Sequence, residues 1–293
     1  MSWQTLIILN ILVANILHPI LFKKSADLPY KTKQQFWIYS FCVILAIGFW
    51  GYKKQFILSS ATLIVFSLGF IISLAFYWQL RATNISQSKS AIFSIGHRVL
   101  TILLAWVFLN ELKYFDSFFY SNLGQGVILT FLSAALFIFN SRQELKKIKK
   151  LFAYLAGFGI ISAIASLFAR FYALNGIPFS NFGLAWYSGA WLGAVLLLQL
   201  TTNKEEKSHK MSKWEIINAL GVAFFVWLAL LLSYSALKIV FITVFQPFLL
   251  ISGMLFPVLI GLLIFKEIKK ITLLEIIAFL IGITGGVIII FGL

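Results

Sequence analysis

Two stretches of the chain end in the same way: Ala105-Trp-Val-Phe-Leu-Asn-Glu-Leu-Lys113 and Gly261-Leu-Leu-Ile-Phe-Lys-Glu-Ile-Lys269. Each is an apolar run that closes on a glutamate two residues before a lysine, and the two glutamates lie 156 residues apart. The pairs Leu80-Arg81 and Leu237-Lys238 repeat at nearly the same offset, 157 residues. This shared register predicts that the chain arose by duplication of one unit.

Composition places the chain in a membrane. It is 61% hydrophobic and 11% charged, with a mean hydropathy of +0.96, values that a water-soluble domain does not reach. A spanning helix needs about 20 predominantly apolar residues, whereas a barrel strand alternates in polarity. The apolar runs here are continuous, as from Ile57 to Tyr77. Ten helices are predicted, at 3–22, 36–52, 56–80, 90–110, 118–139, 151–173, 181–201, 215–236, 243–265 and 272–293.

The repeat divides these ten helices into two halves of five. The predicted units are 1–139 and 151–293, joined by a basic connector at 140–150. Because five is odd, two consecutive copies enter the membrane in opposite directions, related by a pseudo-two-fold axis in the membrane plane. The predicted fold is therefore an all-α integral membrane protein with ten transmembrane helices, built from two inverted five-helix repeats.

The basic residues are concentrated in every second loop between the predicted helices. Of the 24 Lys and Arg residues, 18 fall in the loops after helices 1, 3, 5, 7 and 9, four fall in the other loops, and Arg98 and Arg170 fall inside helices. The net charge of +15 thus indicates membrane orientation and not a nucleic-acid surface. By the positive-inside rule both termini lie outside the cytoplasm, in a multi-pass protein of the inner or plasma membrane. The first run has no basic leader or small-residue cleavage site, so it is predicted to be a retained helix.

These features resemble the drug/metabolite transporter superfamily, in its EamA-like ten-helix branch. The resemblance covers the whole chain. It rests on the two five-helix halves, on the glutamates that end the fourth and ninth helices, and on glycines in the fifth and tenth helices, namely Gly124, Gly126, Gly282, Gly285 and Gly286. The proline that the family often has in the fourth and ninth helices is replaced here by Arg98 and Met254. The resemblance implies a transporter that works by alternating access.

The repeated glutamates and glycines also have simpler interpretations. Glu111 and Glu267 stand near Lys113 and Lys269, and a carboxylate at a helix end is most simply an interfacial charge paired with such a neighbour, which contributes little energy. The glycines of the tenth helix most simply allow close helix packing. Formation of a homodimer through the tenth helix is the alternative interpretation of these glycines. Cys42, the single cysteine, is predicted to be a small core residue.

Candidate binding residues are the ionisable groups that cannot reach the interface, since each costs about 2.5 to 3.5 kcal/mol at the bilayer centre. Arg98 lies within the fourth predicted helix with His97 beside it, Arg170 lies in the last turns of the sixth, and His18 lies in the last turns of the first. Arg98 is the strongest candidate, because a guanidinium binds a carboxylate or phosphate through two parallel hydrogen bonds. The alternative for Arg98 is a buried hydrogen-bond hub. Arg170 can instead snorkel to the interface, and His97 can be structural.

Further polar and aromatic residues can complete a cavity on the first, third, eighth and ninth helices. The predicted set is Asn15, Trp78, Gln79, Tyr234 and Gln246, although an aromatic residue is as easily a packing or interface residue. In the ninth helix, Pro247 and Pro257 can free backbone carbonyls or kink the helix. All nine acidic residues fall in loops or near helix ends. A cavity with arginine and histidine and no buried acid favours anionic or zwitterionic ligands.

The predicted function is a secondary, non-ATP transporter of small polar metabolites such as amino acids or related anionic and zwitterionic compounds. Two alternatives stay open: translocation of an amphiphilic or lipid-linked substrate, and a non-transporting scaffold or receptor. No phosphate loop, metal cluster or acidic pair indicates an enzyme, so no catalytic residue, cofactor or metal is predicted. The predicted partners are a small-molecule substrate and membrane lipid, without nucleic acid.

Overall fold

A computed structural model describes residues 2–53, 59–93, 95–114, 145–201, 204–266 and 272–291, with scattered positions between 122 and 136. Within these residues the chain is helical, with short turns and no strand. The helices are α1 (Trp3–Asp27), α2 (Lys31–Lys53), α3 (Ser60–Ile85), α4 (Gln87–Phe93), α5 (Ile95–Leu109), α6 (Leu145–Leu174), α7 (Phe179–Leu200), α8 (Lys204–Ser208), α9 (Lys213–Leu237), α10 (Ile242–Leu263) and α11 (Leu273–Phe291). A short 3-10 turn, Glu111–Tyr114, follows α5.

Eight segments of the described chain are long and apolar enough to cross a membrane: α1, α2, α3, the α4–α5 pair, α6, α7, α9 and α10. The prediction of an all-α, multi-pass membrane protein is thereby confirmed. The fifth predicted helix, 118–139, lies largely outside the described residues. The predicted connector at 140–150 is described only from Leu145, where α6 begins, so its second half is helical. The tenth predicted helix overlaps α11, whose apolar part is shorter, Ile276–Ile288.

Several helices extend beyond their predicted ends, and in α1 and α2 other helices satisfy the polar residues there. α1 continues past residue 22 to Asp27, and Lys23 Nζ donates to the carbonyl of Thr83 at 2.9 Å while it pairs with Asp27 at 2.9 Å. α2 begins at 31 and not at 36, and Gln35 Nε2 donates to the carbonyl of Ser73 at 2.6 Å. Hydropathy cannot detect such tertiary partners, although buried polar groups depend on them.

The helix ends gather at two faces of the molecule. On one, which we call the basic face, the α1–α2 turn meets the α3–α4 junction and α8, as in the 2.7 Å hydrogen bond from the Thr32 N–H to Glu206. On the other, which we call the opposite face, the end of α5 meets the α6–α7 and α9–α10 turns. There the Tyr234 hydroxyl donates to the carbonyl of Ile177 at 2.8 Å. The basic face carries the described loops after the first, third and seventh predicted helices, which belong to the set that is rich in lysine and arginine.

α3 and α7 pack backbone to backbone. A methyl group added at Gly69 would overlap the carbonyl of Trp186, and one added at Gly189 would overlap the carbonyl of Phe66. Only glycine permits so close an approach, and small residues are the usual means of helix association in lipid. We call this contact the α3–α7 seam.

Glycines of the last helix pack in the same manner against α10. A Cβ at Gly282 would lie 3.2 Å from Met254 Sδ, and one at Gly286 would lie 2.6 Å from Ile251 Cγ1. The packing role predicted for these two glycines is therefore confirmed within the chain itself. Cys42 is fully buried in the core, as predicted.

Candidate ligand-binding cavity

A cavity of about 350 Å³ lies between α1–α7, α9 and α10. At one end its lining includes Thr83 and Gln87, which lie near the basic face at the end of α3 and the start of α4. Toward the opposite face its wall includes Asn10 and Ser233, where Asn10 Nδ2 donates to Ser233 Oγ at 2.6 Å and joins α1 to α9. The volume lies at the lower end of the range of about 300–1,000 Å³ that small-molecule sites occupy.

Arg98 projects into this cavity from α5. Its Nη1 donates to Gln246 Oε1 at 3.0 Å; Gln246 is 1% exposed on α10, and Arg98 is half-buried. Among the described residues, none that line the cavity is acidic, and no carboxylate lies within ion-pair distance of Arg98. A guanidinium carries five N–H donors. Most of the donors of Arg98 are thus available to a ligand.

Two histidines stand in the same wall. His18 lies against Phe22 with ring centroids 4.9 Å apart, and its buried Nε2 has no hydrogen-bond partner in the described part of the chain. The His97 ring meets Phe158 edge-on at 5.3 Å. Both imidazoles therefore border the cavity that holds the Arg98 guanidinium.

α1 departs from α-helical geometry where it lines the cavity. Residues 11–17 form a π-helical stretch, after which the His18 N–H donates to the carbonyl of Val13, five residues back. Pro19 accounts for the change, because proline has no N–H to continue the α-helical pattern and its ring crowds the preceding turn. π-helical turns are frequent at functional sites. Asn15, within this stretch and 5% exposed, donates from Nδ2 to Ser252 Oγ of α10 at 2.7 Å.

The structure brings most of the predicted site together. Arg98, His97, His18, Asn15 and Gln79 line the cavity, and Gln246 is attached to it through Arg98. These residues come from four helices that are far apart in the sequence. Their convergence could not be predicted from spacing alone, since it depends on which face each helix presents.

Three predicted binding residues do not line the cavity. The Trp78 ring packs over Gly157 of α6. The Tyr234 hydroxyl donates to the carbonyl of Ile177, and its ring lies 4.5 Å from that of Phe182. Both aromatics are packing residues, because each faces a neighbouring helix and not the lumen. The third, Arg170, belongs to a separate cluster.

That cluster is a buried ion pair at the opposite face. Glu111, 2% exposed, accepts hydrogen bonds from the backbone N–H of Ile242 at 3.1 Å, the N–H of Thr243 at 2.9 Å and the Thr243 hydroxyl at 2.7 Å. Arg170 Nε lies 3.6 Å from Glu111 Oε1, and Arg170 Nη1 donates to the carbonyl of Leu237. The two side chains thereby tie α5 and α6 to the α9–α10 turn.

The prediction that Glu111 is an interfacial charge paired with its lysine neighbour is therefore wrong. Its carboxylate caps the N-terminus of α10, where the helix dipole and unpaired N–H groups favour a negative charge. The same prediction for Glu267 falls on a residue outside the described part of the chain. Capping by a residue 131 positions away leaves no local signal in the sequence.

Sequence analysis missed polar residues at the start of α4. Gln87 and Ser90 line the cavity at an i, i+3 spacing that places them on one helix face. Ser90 opens the predicted fourth helix and Gln87 precedes it, because hydropathy falls there. The polar i, i+3 pair beside an apolar run is the signal that identifies such a cavity-lining helix face.

Comparison with known proteins defines the fold and nothing finer. No family model matches the chain, and no curated protein matches it. A solved structure described only as the crystal structure of a protein aligns with a TM-score of 0.59 over 98% of this chain and 94% of that chain, at 12% sequence identity. At that identity the likeness extends to the fold alone. The chain is thus an all-α, multi-pass membrane protein with a central cavity.

Proposed function

We propose that this protein is a secondary transporter of small anionic or zwitterionic metabolites, and that Arg98 binds the anionic group. The observation that carries the proposal is a half-buried guanidinium in a cavity whose described walls contain no carboxylate. An ionisable group at membrane depth is costly, and such groups usually face a substrate pathway. A guanidinium held by one amide keeps the fork geometry that grips a carboxylate or phosphate.

Alternating access of two inverted five-helix halves is the proposed mechanism, in line with the sequence resemblance to the drug/metabolite transporters. The position of the cavity fits this mechanism, because its described lining extends to Thr83 and Gln87 near the basic face, while the buried Glu111–Arg170 pair lies at the opposite face. The positive-inside rule makes the basic face cytoplasmic. We therefore propose that the Thr83–Gln87 end of the cavity is its cytoplasmic end.

The test is a thermal-shift screen of purified protein against amino acids, organic acids, sugar phosphates and organic cations. A ligand that binds only the folded state raises the apparent melting temperature. We expect stabilisation by anions or zwitterions, and its loss in Arg98→Ala. Arg81→Ala is the matched control, because Arg81 is an exposed arginine whose guanidinium binds Tyr77 at the surface. Stabilisation by cations alone, unchanged in Arg98→Ala, would contradict the proposal.

A second measurement separates a transporter from a scaffold or receptor. The stabilising compound is radiolabelled and its exchange across proteoliposomes is followed with the native protein and with Arg98→Ala. A transporter moves the compound and loses at least tenfold in rate without the guanidinium. A receptor binds the same compound and moves none of it.

A further inference from the structure

Two prolines remove the usual helical N–H donors of backbone carbonyls where α1 and α10 border the cavity. In α1 the carbonyl of Ala14 would accept from residue 18 or 19, but the His18 N–H is given to Val13 and Pro19 has no N–H. In α10 the carbonyl of Gly253 would accept from residue 257, which is Pro257. A carbonyl without its partner is costly at membrane depth unless it lines a cavity or meets a ligand.

Both carbonyls belong to residues of the cavity wall. Ala14 and Gly253 line it, together with Pro257. Since Gly253 has no side chain, its contribution to the wall is backbone. The main chain of α10 therefore forms part of the wall here.

Asn15 brings a side-chain oxygen to the same crossing of α1 and α10. Asn15 uses its Nδ2 to bind Ser252 Oγ at 2.7 Å, which fixes the direction of its amide. The Oδ1 atom then lies over Gly253, 3.5 Å from the position that a Cβ on this glycine would take. The Oδ1 atom accepts no hydrogen bond in the described part of the chain, although Asn15 is only 5% exposed.

We propose that this crossing of α1 and α10 is a second binding site in the cavity, for a monovalent cationic group. Its ligands are Asn15 Oδ1 and the carbonyls of Ala14 and Gly253. Oxygens from broken helices hold coupling ions in other membrane carriers in this manner. Calcium and magnesium sites in proteins are usually built with carboxylates, and no acidic residue lines the described cavity. The group is thus an alkali metal ion or the ammonium of a ligand.

The cation site is separate from the anion site. Gln246, which holds Arg98, and Gly253 are seven residues apart on α10, which is about 10 Å along the helix axis. The spacing suits an inorganic ion beside a small anion, or one ligand with its ammonium far from its carboxylate. If the proposed transport function holds, each charge raises the affinity for the other by the same factor, because coupling is reciprocal.

The first experiment measures the melting temperature of the purified protein in sodium or potassium chloride against choline chloride at equal ionic strength. We expect one alkali ion to raise it by about 2–4 °C. Pro257→Ala gives the Gly253 carbonyl an N–H partner without removing any cavity oxygen, and alanine favours the helix. The variant should therefore fold well and lose the ion response.

Pro247→Ala is the matched control, since Pro247 stands in the same helix and does not line the cavity. It should keep the response. Asn15→Asp should change the response in the other direction, with at least tenfold tighter ion binding through the added charge. An ion response that is the same in the native protein, Pro257→Ala and Asn15→Asp would overturn the proposal.

A second arm distinguishes the source of the charge. If neither alkali ion acts, lysine is compared with norleucine, which has the same chain without the distal ammonium. Stabilisation by lysine alone, lost in Pro257→Ala, assigns the site to a ligand ammonium. No response to the ions or to lysine overturns the proposal. Arg98→Ala separates a failure of this proposal from a failure of the proposed function. The variant should lose anion binding, and its melting temperature should still rise with the cation.

Discussion

At each of the two faces of the molecule, a glutamate side chain caps the N-terminus of a helix. At the opposite face Glu111 accepts from the N–H and hydroxyl of Thr243 at the start of α10. At the basic face Glu206 accepts from the N–H and hydroxyl of Thr32 at the start of α2, both at 2.7 Å. Each carboxylate comes from a short helical turn that is distant in the sequence, and each caps a helix of the other predicted half. The caps therefore fasten the two halves to each other.

The two caps differ in what surrounds them. Glu206 also accepts from the Thr201 hydroxyl at 3.4 Å. Glu111 shares its site with Arg170, and both side chains are at most 5% exposed. Breaking a buried ion pair on one side is costly, because it leaves the other charge uncompensated. We therefore expect the cap at the opposite face to stabilise the fold more than the cap at the basic face.

Glu111→Ala should have the largest effect on stability. It leaves the buried Arg170 guanidinium without its counter-charge and the α10 N–H groups without their acceptor. We expect a loss of about 3–5 kcal/mol in the free energy of unfolding. Chemical unfolding in detergent micelles measures it. A loss below about 1 kcal/mol would mean that water replaces the carboxylate and that the pair is not buried in the membrane.

Arg170→Met in the Glu111→Ala background should recover part of that loss, because the second change removes the stranded charge. We expect an interaction energy of about 1–3 kcal/mol between the two positions. The double-mutant cycle measures it directly. Additive losses would indicate that the two side chains stabilise the fold independently, through Leu237 and through α10.

Glu206→Ala should have a smaller effect, about 1–2 kcal/mol, since it removes a helix cap and leaves the Thr32 N–H unsatisfied. Glu205→Ala is the control: the neighbouring carboxylate is exposed, and its loss should stay within about 0.5 kcal/mol. If Glu206→Ala lowers the free energy of unfolding as much as Glu111→Ala does, the two caps stabilise the fold equally and the comparison fails.

Two predictions from the sequence, the membrane class and Arg98 as the strongest candidate binding residue, both rest on the length and apolarity of the helical runs. Arg98 is a charge inside an apolar run, and such a residue needs a lumen or a partner whatever the tertiary arrangement. Tyr234 and Trp78 carry no such constraint. Their placement against Ile177 and Gly157 depends on helix rotation, which periodicity does not determine in a helix that is apolar on every side.

Glu111 illustrates a different limit. Its nearest basic residue in sequence is two positions away, and pairing by proximity in sequence assigned it to the surface. Its actual partners come from α6 and α10, 59 and 131 residues away. Helix ends that meet in space create capping sites, and these follow from the order in which helices pack. Pro257, by contrast, was recognisable because a missing N–H is a property of the residue itself.

The α3–α7 seam bears on how a molecule can enter the cavity. At Gly69 and Gly189 each helix touches the backbone of the other, so the gap between them is narrower than an acyl chain. A lipid tail cannot slip sideways from the bilayer through that wall. An amphiphilic cargo would need a portal between a different pair of helices.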